Sequence, residues 1–388
     1  MGLDDRDALL TLRGALDLDG RADGVIGDFY SRWFATDFSA RDLFPPDLHH
    51  QRRVFARALS WVLGEMAEQR AQEPVAFLAQ LGRDHRKYGV TQRHYDTLGP
   101  ALLAAFRTRF ADRWDGALGD TARDVVDLMV GVMHGAADAE KGPPYRDATV
   151  VDHIRATRDV SIIRLRLDRP MFYHPGQYVT VQVPQWPRRW RFLSPSIPAD
   201  RDGDIEFHVR SVPGGMVSTA IVGETAVGDR WRMSNPHGGL HVDRDGGDVL
   251  MVAGSSGLTP LRTIIMDLQR FAENPRVHLF YGATYPCDLY DLHTLWQVAS
   301  MNPWLSVTPV SEFATNPPWA ADYPVEPPPR GLHVRQTGVL ADVVTRYGSW
   351  SDRQILISGG PAMIEATKAA LVAKGADAER IQHDPPAA

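Results

Sequence analysis

One histidine in the first part of the chain is placed where it could take part in redox chemistry. His85 follows Phe77 and Leu81 at intervals of eight and four residues, so the three side chains share one face of a predicted helix. An imidazole on such an apolar face can be the axial base of a heme iron. The alternative is a histidine at a helix end that binds no ligand.

Two glycine turns further along the chain have the composition of phosphate-binding loops. The first is Gly214-Gly215-Met216-Val217-Ser218, and the second is Gly254-Ser255-Ser256-Gly257-Leu258-Thr259-Pro260. Glycine lets the backbone approach an anion closely, and the amides at the start of a following helix point at it. Both turns therefore indicate nucleotide cofactors, although each is a weak signal alone.

The first 140 residues are predicted to be helical, because their apolar residues recur at helical spacing and β-branched alternation is scarce. Residues 140–145, with two prolines and a glycine, end the last helix and read as a linker.

After the linker, short runs such as Val160–Leu167 and Tyr178–Val183 predict an antiparallel barrel that ends near Val242. Val249–Ala253 is a continuous apolar run followed by glycine, and Ile355–Ser358 repeats the strand-then-glycine pattern, which is typical of a doubly wound parallel sheet. Residues 316–330 are expected to be irregular. The predicted fold class is multidomain: an all-α domain (1–141), an antiparallel β-barrel (147–244) and an α/β doubly wound domain (245–388).

The helical segment resembles the globin domain of flavohemoglobins over nearly its whole length. The resemblance implies that Tyr30 donates a hydrogen bond to bound dioxygen, that Phe44 packs on the heme, and that His85 binds the iron. It also implies Gln51 as a distal residue, but a shortened stretch before it leaves His50 as an alternative. An ordinary aromatic core would also explain Tyr30.

The proximal side departs from that family. Tyr95 matches the tyrosine that, in flavohemoglobins, joins the proximal histidine and a glutamate of the last helix. That glutamate is missing between Trp114 and Glu140, and Asp138, the nearest acid, has a shorter side chain. Asp84 replaces the family's lysine. The resemblance therefore implies an iron that is tuned differently, because partners of a ligating histidine set its basicity.

The barrel resembles the FAD domain of the same family, which is of the ferredoxin-reductase type. Arg191-Phe192-Leu193-Ser194 matches its Arg-x-Tyr-Ser motif, with Leu193 in place of the stacking tyrosine. Whether FMN replaces FAD stays open. The flavin-binding residues that the resemblance implies are Tyr178, Arg191, Leu193, Ser194, Gly215, Val217 and Ser218.

The last domain resembles the family's nicotinamide domain. Gly359 replaces the cysteine of a Cys-Gly-Pro motif, and Pro386 replaces an aromatic residue that covers the flavin. No arginine cluster suits a 2′-phosphate, so NADH is favoured over NADPH. The implied binding residues are Gly254, Ser256, Gly257, Thr259, Gly360, Pro361 and Asp384.

Composition narrows the class of protein. At 388 residues the chain is too long for one core, and its net charge of −6 gives no basic patch for nucleic acid. One cysteine, Cys287, excludes an internal disulfide and suits a reducing compartment. An acidic N-terminus and the lack of a long apolar run favour a cytoplasmic protein without a membrane span. Oligomeric state is not predicted.

The leading hypothesis is an NAD(P)H-dependent oxidoreductase that passes electrons from NADH through FAD to a b-type heme (heme b), with nitric oxide dioxygenation as its reaction. Dioxygen and nitric oxide would be its small-molecule ligands. A second hypothesis keeps these cofactors but oxidises an organic substrate or reduces a quinone-like acceptor. A third is a heme-based gas or redox sensor with little turnover.

Overall fold

The computed structural model describes residues 3–16, 24–70, 72–320, 328–329 and 332–384. Contacts divide the chain into two compact units, residues 1–145 and 146–387. The first unit is helical, and the second contains two sheets. Among the described helices, none is both long and apolar enough to cross a bilayer.

The first unit packs its helices around an aromatic and aliphatic core that includes Phe29, Leu59, Leu78 and Phe106. Gly82 lets two helices cross closely, because a Cβ there would lie 2.1 Å from the carbonyl oxygen of Met133. That crossing holds the helix end that carries His85. The helices are α1 (Leu3–Gly14), α2 (Val25–Thr36), α3 (His49–Ala67), α4 (Gln72–His85), α5 (Gln92–Phe110) and α6 (Gly116–Ala139). Short 3-10 segments cover Phe38–Leu43, Arg86–Tyr88 and Ala111–Arg113.

The second unit begins with a six-stranded antiparallel sheet in the order β4-β3-β6-β1-β2-β5. An isolated bridge between Pro195, just after β4, and Phe207 on β5 nearly closes this sheet into a barrel. Trp231 and Phe207 fill its core. The strands are β1 (Arg146–Arg155), β2 (Val160–Leu167), β3 (Val179–Gln182), β4 (Trp190–Leu193), β5 (Asp204–Arg210) and β6 (Arg230–Met233), and helix α7 (Met216–Glu224) precedes β6.

The remainder of this unit is a parallel sheet in the order β10-β9-β8-β7-β11-β12. Its strands are β7 (Val249–Gly254), β8 (Val277–Ala283), β9 (Leu305–Ser311), β10 (Gln336–Thr337), β11 (Gln354–Ser358) and β12 (Ile381–His383). Its helices are α8 (Leu258–Leu268), α9 (Leu292–Met301), α10 (Leu340–Arg346) and α11 (Pro361–Ala373). One hydrophobic cluster joins α8 and α9 to one face, and a second joins α10 and α11 to the other.

The predicted fold class is confirmed: a helical domain, an antiparallel barrel and a doubly wound sheet follow one another. The order in which strands are added to the parallel sheet reverses at β7: β8, β9 and β10 lie on one side of it, and β11 and β12 lie on the other. Ligands of such sheets bind at the carboxyl ends of the strands beside this switch point. Most of the irregular segment predicted at 316–330 lies outside the described residues.

Candidate functional site

The distal side of the predicted heme pocket is built around Tyr30 on α2. Its side chain is buried, and its hydroxyl forms a hydrogen bond with the Gln51 side chain on α3. Burial raises the pKa of Tyr30 far above its ordinary value, so the hydroxyl keeps its proton and can donate it in a hydrogen bond. The Phe44 ring lies edge-on, 5.4 Å from the Tyr30 ring. His50, in contrast, is exposed.

The predicted proximal side is the end of α4. The Nδ1 atom of His85 lies 2.7 Å from the carbonyl oxygen of Leu81 and must donate, because a carbonyl only accepts. Burial lowers the pKa of His85, which favours the neutral imidazole. This tautomer leaves the lone pair of Nε2 for a metal, as a heme iron requires.

His134 lies on α6, a helix in which the sequence contains no glutamate that could join Tyr95. The ring of His134 on α6 is 5.0 Å from the ring of Tyr95, and its Nε2 is 3.2 Å from Asp138. Burial, together with the negative charge of Asp138, raises the pKa of Tyr95 to about 12. Sequence reasoning considered Asp138 and missed His134, although the four-residue interval between them places both on one helix face.

Lys87, a half-buried cation, lies two residues after His85. Burial lowers the pKa of Lys87 to about 8, and the negative charge of Asp84 opposes that shift. The ammonium lies 5.3 Å from the centre of the Tyr88 ring. Asp84 was noted in the sequence as a substitution for a lysine. In the structure, the negative charge of Asp84 raises the pKa of Lys87, three residues later, against the larger effect of burial. The motif alone does not predict this interaction.

In the barrel, residues far apart in sequence meet at Tyr178. Tyr178 exchanges two backbone hydrogen bonds with His237, at 2.8 and 2.7 Å. A Cβ on Gly238 would lie 2.5 Å from the Tyr178 ring and 3.3 Å from a carboxylate oxygen of Asp384. Burial raises the pKa of Asp384 to about 6, although neighbouring His383 lowers it. The structure thus brings together Tyr178 and Asp384, two of the predicted flavin and nicotinamide residues.

The neighbouring strand β4 carries the Arg-x-Tyr-Ser-like motif. Leu193 pairs with Val179 of β3 and packs on the barrel core, while Phe192 is 46% exposed. The Phe192 ring stands edge-on, 5.1 Å from the Tyr178 ring. An aromatic ring is therefore present one residue before Leu193, the position at which leucine replaces the tyrosine of the motif. Arg191 is exposed and Ser194 is half-buried at the end of this strand.

The first glycine turn opens α7. Gly214 has φ +76°, a conformation that favours glycine, and Gly215 directly precedes the nine-residue helix. A Cβ on Gly215 would lie 2.6 Å from the hydroxyl of Ser218, which donates to the Gly215 carbonyl at 3.1 Å. Val217 is buried. This helix start has the free amides and the compact loop that a pyrophosphate needs.

The second glycine turn borders a cavity of about 330 Å³ at the carboxyl ends of β7, β8 and β9. Gly254, Gly360 and Pro361, three of the residues predicted to bind a nicotinamide nucleotide, line it. Arg210 and Glu312 also line it, and the sequence analysis missed both. Arg210 ends β5 and Glu312 directly follows β9, and these positions become evident only when the strand boundaries are known.

The other predicted residues of this turn lie behind the cavity wall. The Thr259 hydroxyl donates to the carbonyl of Ser256 at 2.8 Å, so it stabilises the turn. A Cβ on Gly257 would lie 2.4 Å from the carbonyl oxygen of Ser358. Gly257 therefore lets the turn after β7 pack directly on the turn after β11. This close packing fits a dinucleotide site at the switch point.

Comparison with known proteins agrees with this architecture. Residues 27–133 match the globin family, residues 147–242 the oxidoreductase FAD-binding domain, and residues 251–369 the oxidoreductase NAD-binding domain. The fold is similar to that of a flavohemoglobin from Malassezia yamatoensis with bound FAD and heme. The TM-score is 0.72 at 13% identity, over 99% of this chain and 98% of that one.

Two curated relatives are reductases of oxygenase systems. The chain is 32% identical over 225 residues to the reductase component of a naphthalene 1,2-dioxygenase/salicylate 5-hydroxylase system from Ralstonia sp, covering 56% of this chain and 61% of the relative. It is 31% identical over 258 residues to the reductase subunit of an aromatic O-demethylase from Amycolatopsis sp., covering 64% of this chain and 72% of that relative. The chain therefore belongs to the oxidoreductases with adjoining FAD-binding and NAD-binding domains, and a globin domain precedes these two, as in the flavohemoglobin fold.

Proposed function

We propose that this chain passes electrons from NADH through FAD to heme and uses them to convert nitric oxide and dioxygen to nitrate. The observation that carries the proposal is the buried Tyr30–Gln51 hydrogen bond, in the same helical unit as a His85 whose Nε2 is free to bind iron. A polar pair in an otherwise aromatic pocket suits a small polar ligand such as dioxygen.

When bound, FAD and heme would supply the transfer of electrons from NADH and the centre at which nitric oxide and dioxygen react. The chain's own residues would hold and shield these groups. Tyr30 donates a hydrogen bond on the distal side, and Gln51 fixes the direction of its hydroxyl. His85 would provide the nitrogen that binds the iron, with its ring oriented by the carbonyl of Leu81. Tyr95 and His134 support the proximal side.

In the second unit, backbone amides and one permanent charge bind the nucleotides. The start of α7, together with the guanidinium of Arg191, would bind the FAD pyrophosphate. Ser194 and Tyr178 would hold the flavin ring, and Phe192 would supply aromatic surface next to Leu193. Gly254 and Gly360 admit the nicotinamide nucleotide to the cavity.

NADH is the proposed donor rather than NADPH. The Glu312 carboxylate lines the cavity and would repel a 2′-phosphate while accepting hydrogen bonds from a ribose diol. The nearby guanidinium of Arg335 donates to Ser311, and to the Ala314 carbonyl at 2.9 Å. It is therefore held by the loop that follows β9. We expect kcat/KM to be higher for NADH than for NADPH. Glu312→Arg should lower the ratio of the NADH value to the NADPH value severalfold.

A second candidate is a reductase that delivers electrons to another oxidant. The curated relatives named above are reductase components, and this chain matches only part of their length, so their activity does not transfer by itself. The exposed Phe192, beside the predicted flavin site, would be accessible to an organic or quinone-like acceptor. We place the protein in the cytoplasm, because its single cysteine suits a reducing compartment.

The experiment that tests the proposal is anaerobic addition of NADH while the flavin and heme absorbances are followed. We expect flavin bleaching followed by ferrous heme, and then rapid nitric oxide consumption when air is admitted. Fast heme reduction with slow nitric oxide consumption would favour the second candidate. Heme that NADH fails to reduce would indicate a gas or redox sensor instead.

A further inference from the structure

A buried group of charged and polar side chains connects the barrel to the parallel sheet within the second unit. Every member is at least nine-tenths buried except Tyr290, which is half-buried. We call it the Arg262 network; its members are Ser196, Glu206, His208, Tyr290, Asp291 and Arg262.

Arg262 on α8 is the centre of this network. Its Nε donates to Asp291 at 2.7 Å, and its Nη1 donates to the Ser196 carbonyl at 2.6 Å. The same nitrogen lies 3.5 Å from Glu206 on β5. A planar guanidinium with several fixed donors can satisfy partners in three directions at once, which a lysine could not.

Both carboxylate oxygens of Glu206 have hydrogen-bond partners besides Arg262. It accepts hydrogen bonds from the Ser196 hydroxyl at 2.7 Å, from His208 at 3.0 Å and from Arg164 at 2.8 Å. Although burial alone would raise the pKa of Glu206, these hydrogen bonds outweigh it and lower the pKa, so the group is ionised at neutral pH. The negative charges of Glu206 and Asp291 are thus balanced by Arg262 and Arg164.

The network holds the chain immediately after Ser194, the residue assigned above to the flavin ring. Arg262 binds the Ser196 carbonyl, and the next residue of α8, Thr263, donates from its hydroxyl to the Pro195 carbonyl. Two consecutive residues of one helix therefore hold two consecutive carbonyls of the flavin-side segment. Such a connection fixes both distance and direction.

The same helix begins at the second glycine turn. α8 starts at Leu258, directly after Gly257, and Arg262 is one helical turn further on. A shift of the helix at Arg262 would therefore move the turn that borders the nucleotide cavity. The flavin-side segment and the nicotinamide-side turn are connected through the first two turns of a single helix.

Stability alone does not explain why this connection is ionic. Well-packed apolar side chains usually stabilise an interior as well as buried ion pairs do. What charged hydrogen bonds add is directionality, since each fixes an angle as well as a contact.

We propose that Arg262 is a positioning residue that sets the distance between the nicotinamide and the flavin. The inference rests on the proposed function, because it requires NADH to reduce the flavin. In that step the C4–H bond of the nicotinamide breaks, and its hydrogen and two electrons pass to the flavin, leaving NAD⁺. The rate of such a step falls about 100-fold for a displacement of about 1 Å.

The test compares two variants of the full-length, cofactor-loaded protein with a control. Thr263→Val removes the bond to Pro195 without changing size. The double variant Arg262→Met/Asp291→Asn removes the central bonds without leaving Asp291 as an unpaired charge. Arg270→Met is the control, because Arg270 follows the same helix and pairs with Asp267, away from the network.

The measurements separate position from binding and folding. Stopped-flow reduction by NADH gives the limiting rate and the kinetic isotope effect with NADH deuterated at C4. Calorimetry with NAD⁺ gives nucleotide affinity, while flavin content and thermal unfolding report the folded state.

We expect the limiting rate to fall about 10- to 100-fold in the double variant and less in Thr263→Val. The isotope effect should rise, NAD⁺ affinity should stay within about threefold, and flavin content should be unchanged. Arg270→Met should behave like the wild type.

A double variant with a wild-type limiting rate would overturn the inference while the proposed function stood. So would one whose only change is lost flavin or lost stability. A wild-type flavin that neither NADH nor NADPH reduces would instead overturn the proposed function itself.

Discussion

The heme pocket and the nucleotide-binding region differ in the parts of the chain that form them. In the helical unit the candidate groups are side chains: the hydroxyl of Tyr30, the amide of Gln51 and the imidazole of His85. In the second unit many are backbone groups, exposed at Gly215, Gly254 and Gly360, where a side chain is missing.

This difference determines how each site can fail. A side chain can be removed while the helices that carry it keep their packing, so the pocket loses a ligand and the fold remains. Gly215 and Gly257 cannot gain a side chain without displacing their neighbours, since a Cβ would lie 2.6 Å and 2.4 Å from the nearest atom. Substitutions in the first region should therefore separate function from structure, and those at Gly215 and Gly257 should not.

The largest effect is expected from His85→Ala. This change removes the imidazole that α4 offers to the predicted heme side, while Leu81 and the helix remain. We expect purified protein without a Soret band but with full flavin absorbance and rapid flavin reduction by NADH. His49→Ala, on an exposed part of α3, is the control. Heme retained at full occupancy in His85→Ala would refute the axial assignment.

The next effect tests the backbone site. Gly257→Ala places a methyl group 2.4 Å from the Ser358 carbonyl, so the two turns must separate. A displacement of about 1 Å predicts roughly 100-fold slower flavin reduction. Stopped-flow kinetics measure it, and heme content should not change.

The control for that variant is Gly223→Ala on α7, where a Cβ would meet nothing within 4 Å. If Gly257→Ala reduced its flavin as fast as Gly223→Ala, the turn would not need the close approach that the structure contains.

The sequence alone predicted the fold class because each domain has a distinct periodicity. Helical spacing marked the first unit, and the continuous apolar run at Val249–Ala253 marked a strand buried on both faces. The glycine turns were visible because glycine, which has no Cβ, is the residue that permits tight turns and close backbone approach at little steric cost.

Contacts between distant segments could not be predicted in the same way. Nothing in the local sequence of Arg262 or Glu206 shows that α8 and β5 meet, and periodicity would assign each to a solvent-facing position. His134 was missed for a related reason, because its partner Tyr95 lies on another helix. Gln51 pairs with Tyr30, while His50 is exposed. Which of these two adjacent residues faces Tyr30 depends on how α3 is rotated about its axis, and motif spacing does not determine that rotation.

A smaller effect is expected from Tyr30→Phe. The change removes one hydrogen-bond donor from a buried polar pair and leaves the aromatic contacts with Phe44 in place. One hydrogen bond of this kind contributes about 1–1.5 kcal/mol, so dioxygen should leave the reduced heme roughly 10-fold faster. Flash photolysis measures the rate, with Tyr145→Phe as the control. An unchanged rate would remove Tyr30 from the distal role.

The smallest effect concerns Asp384, the acid beside Tyr178. Its pKa is raised to about 6 by burial, so between pH 4 and 6 the folded chain binds more protons than the unfolded chain. Ionisation of Asp384 therefore destabilises the fold as pH rises through that range. Asp384→Asn keeps the size and removes the charge, so the variant should unfold about 2–4 °C above the wild type at pH 7.5.

That difference should vanish near pH 4, where Asp384 is protonated in the folded wild type. Thermal unfolding at matched flavin content measures it, with the exposed Asp352→Asn as the control. A difference that is the same at both pH values would mean that the change acts through packing around Gly238 rather than through charge. Asp384 would then resemble the glycine positions of the second unit, where shape rather than charge determines the effect of a substitution.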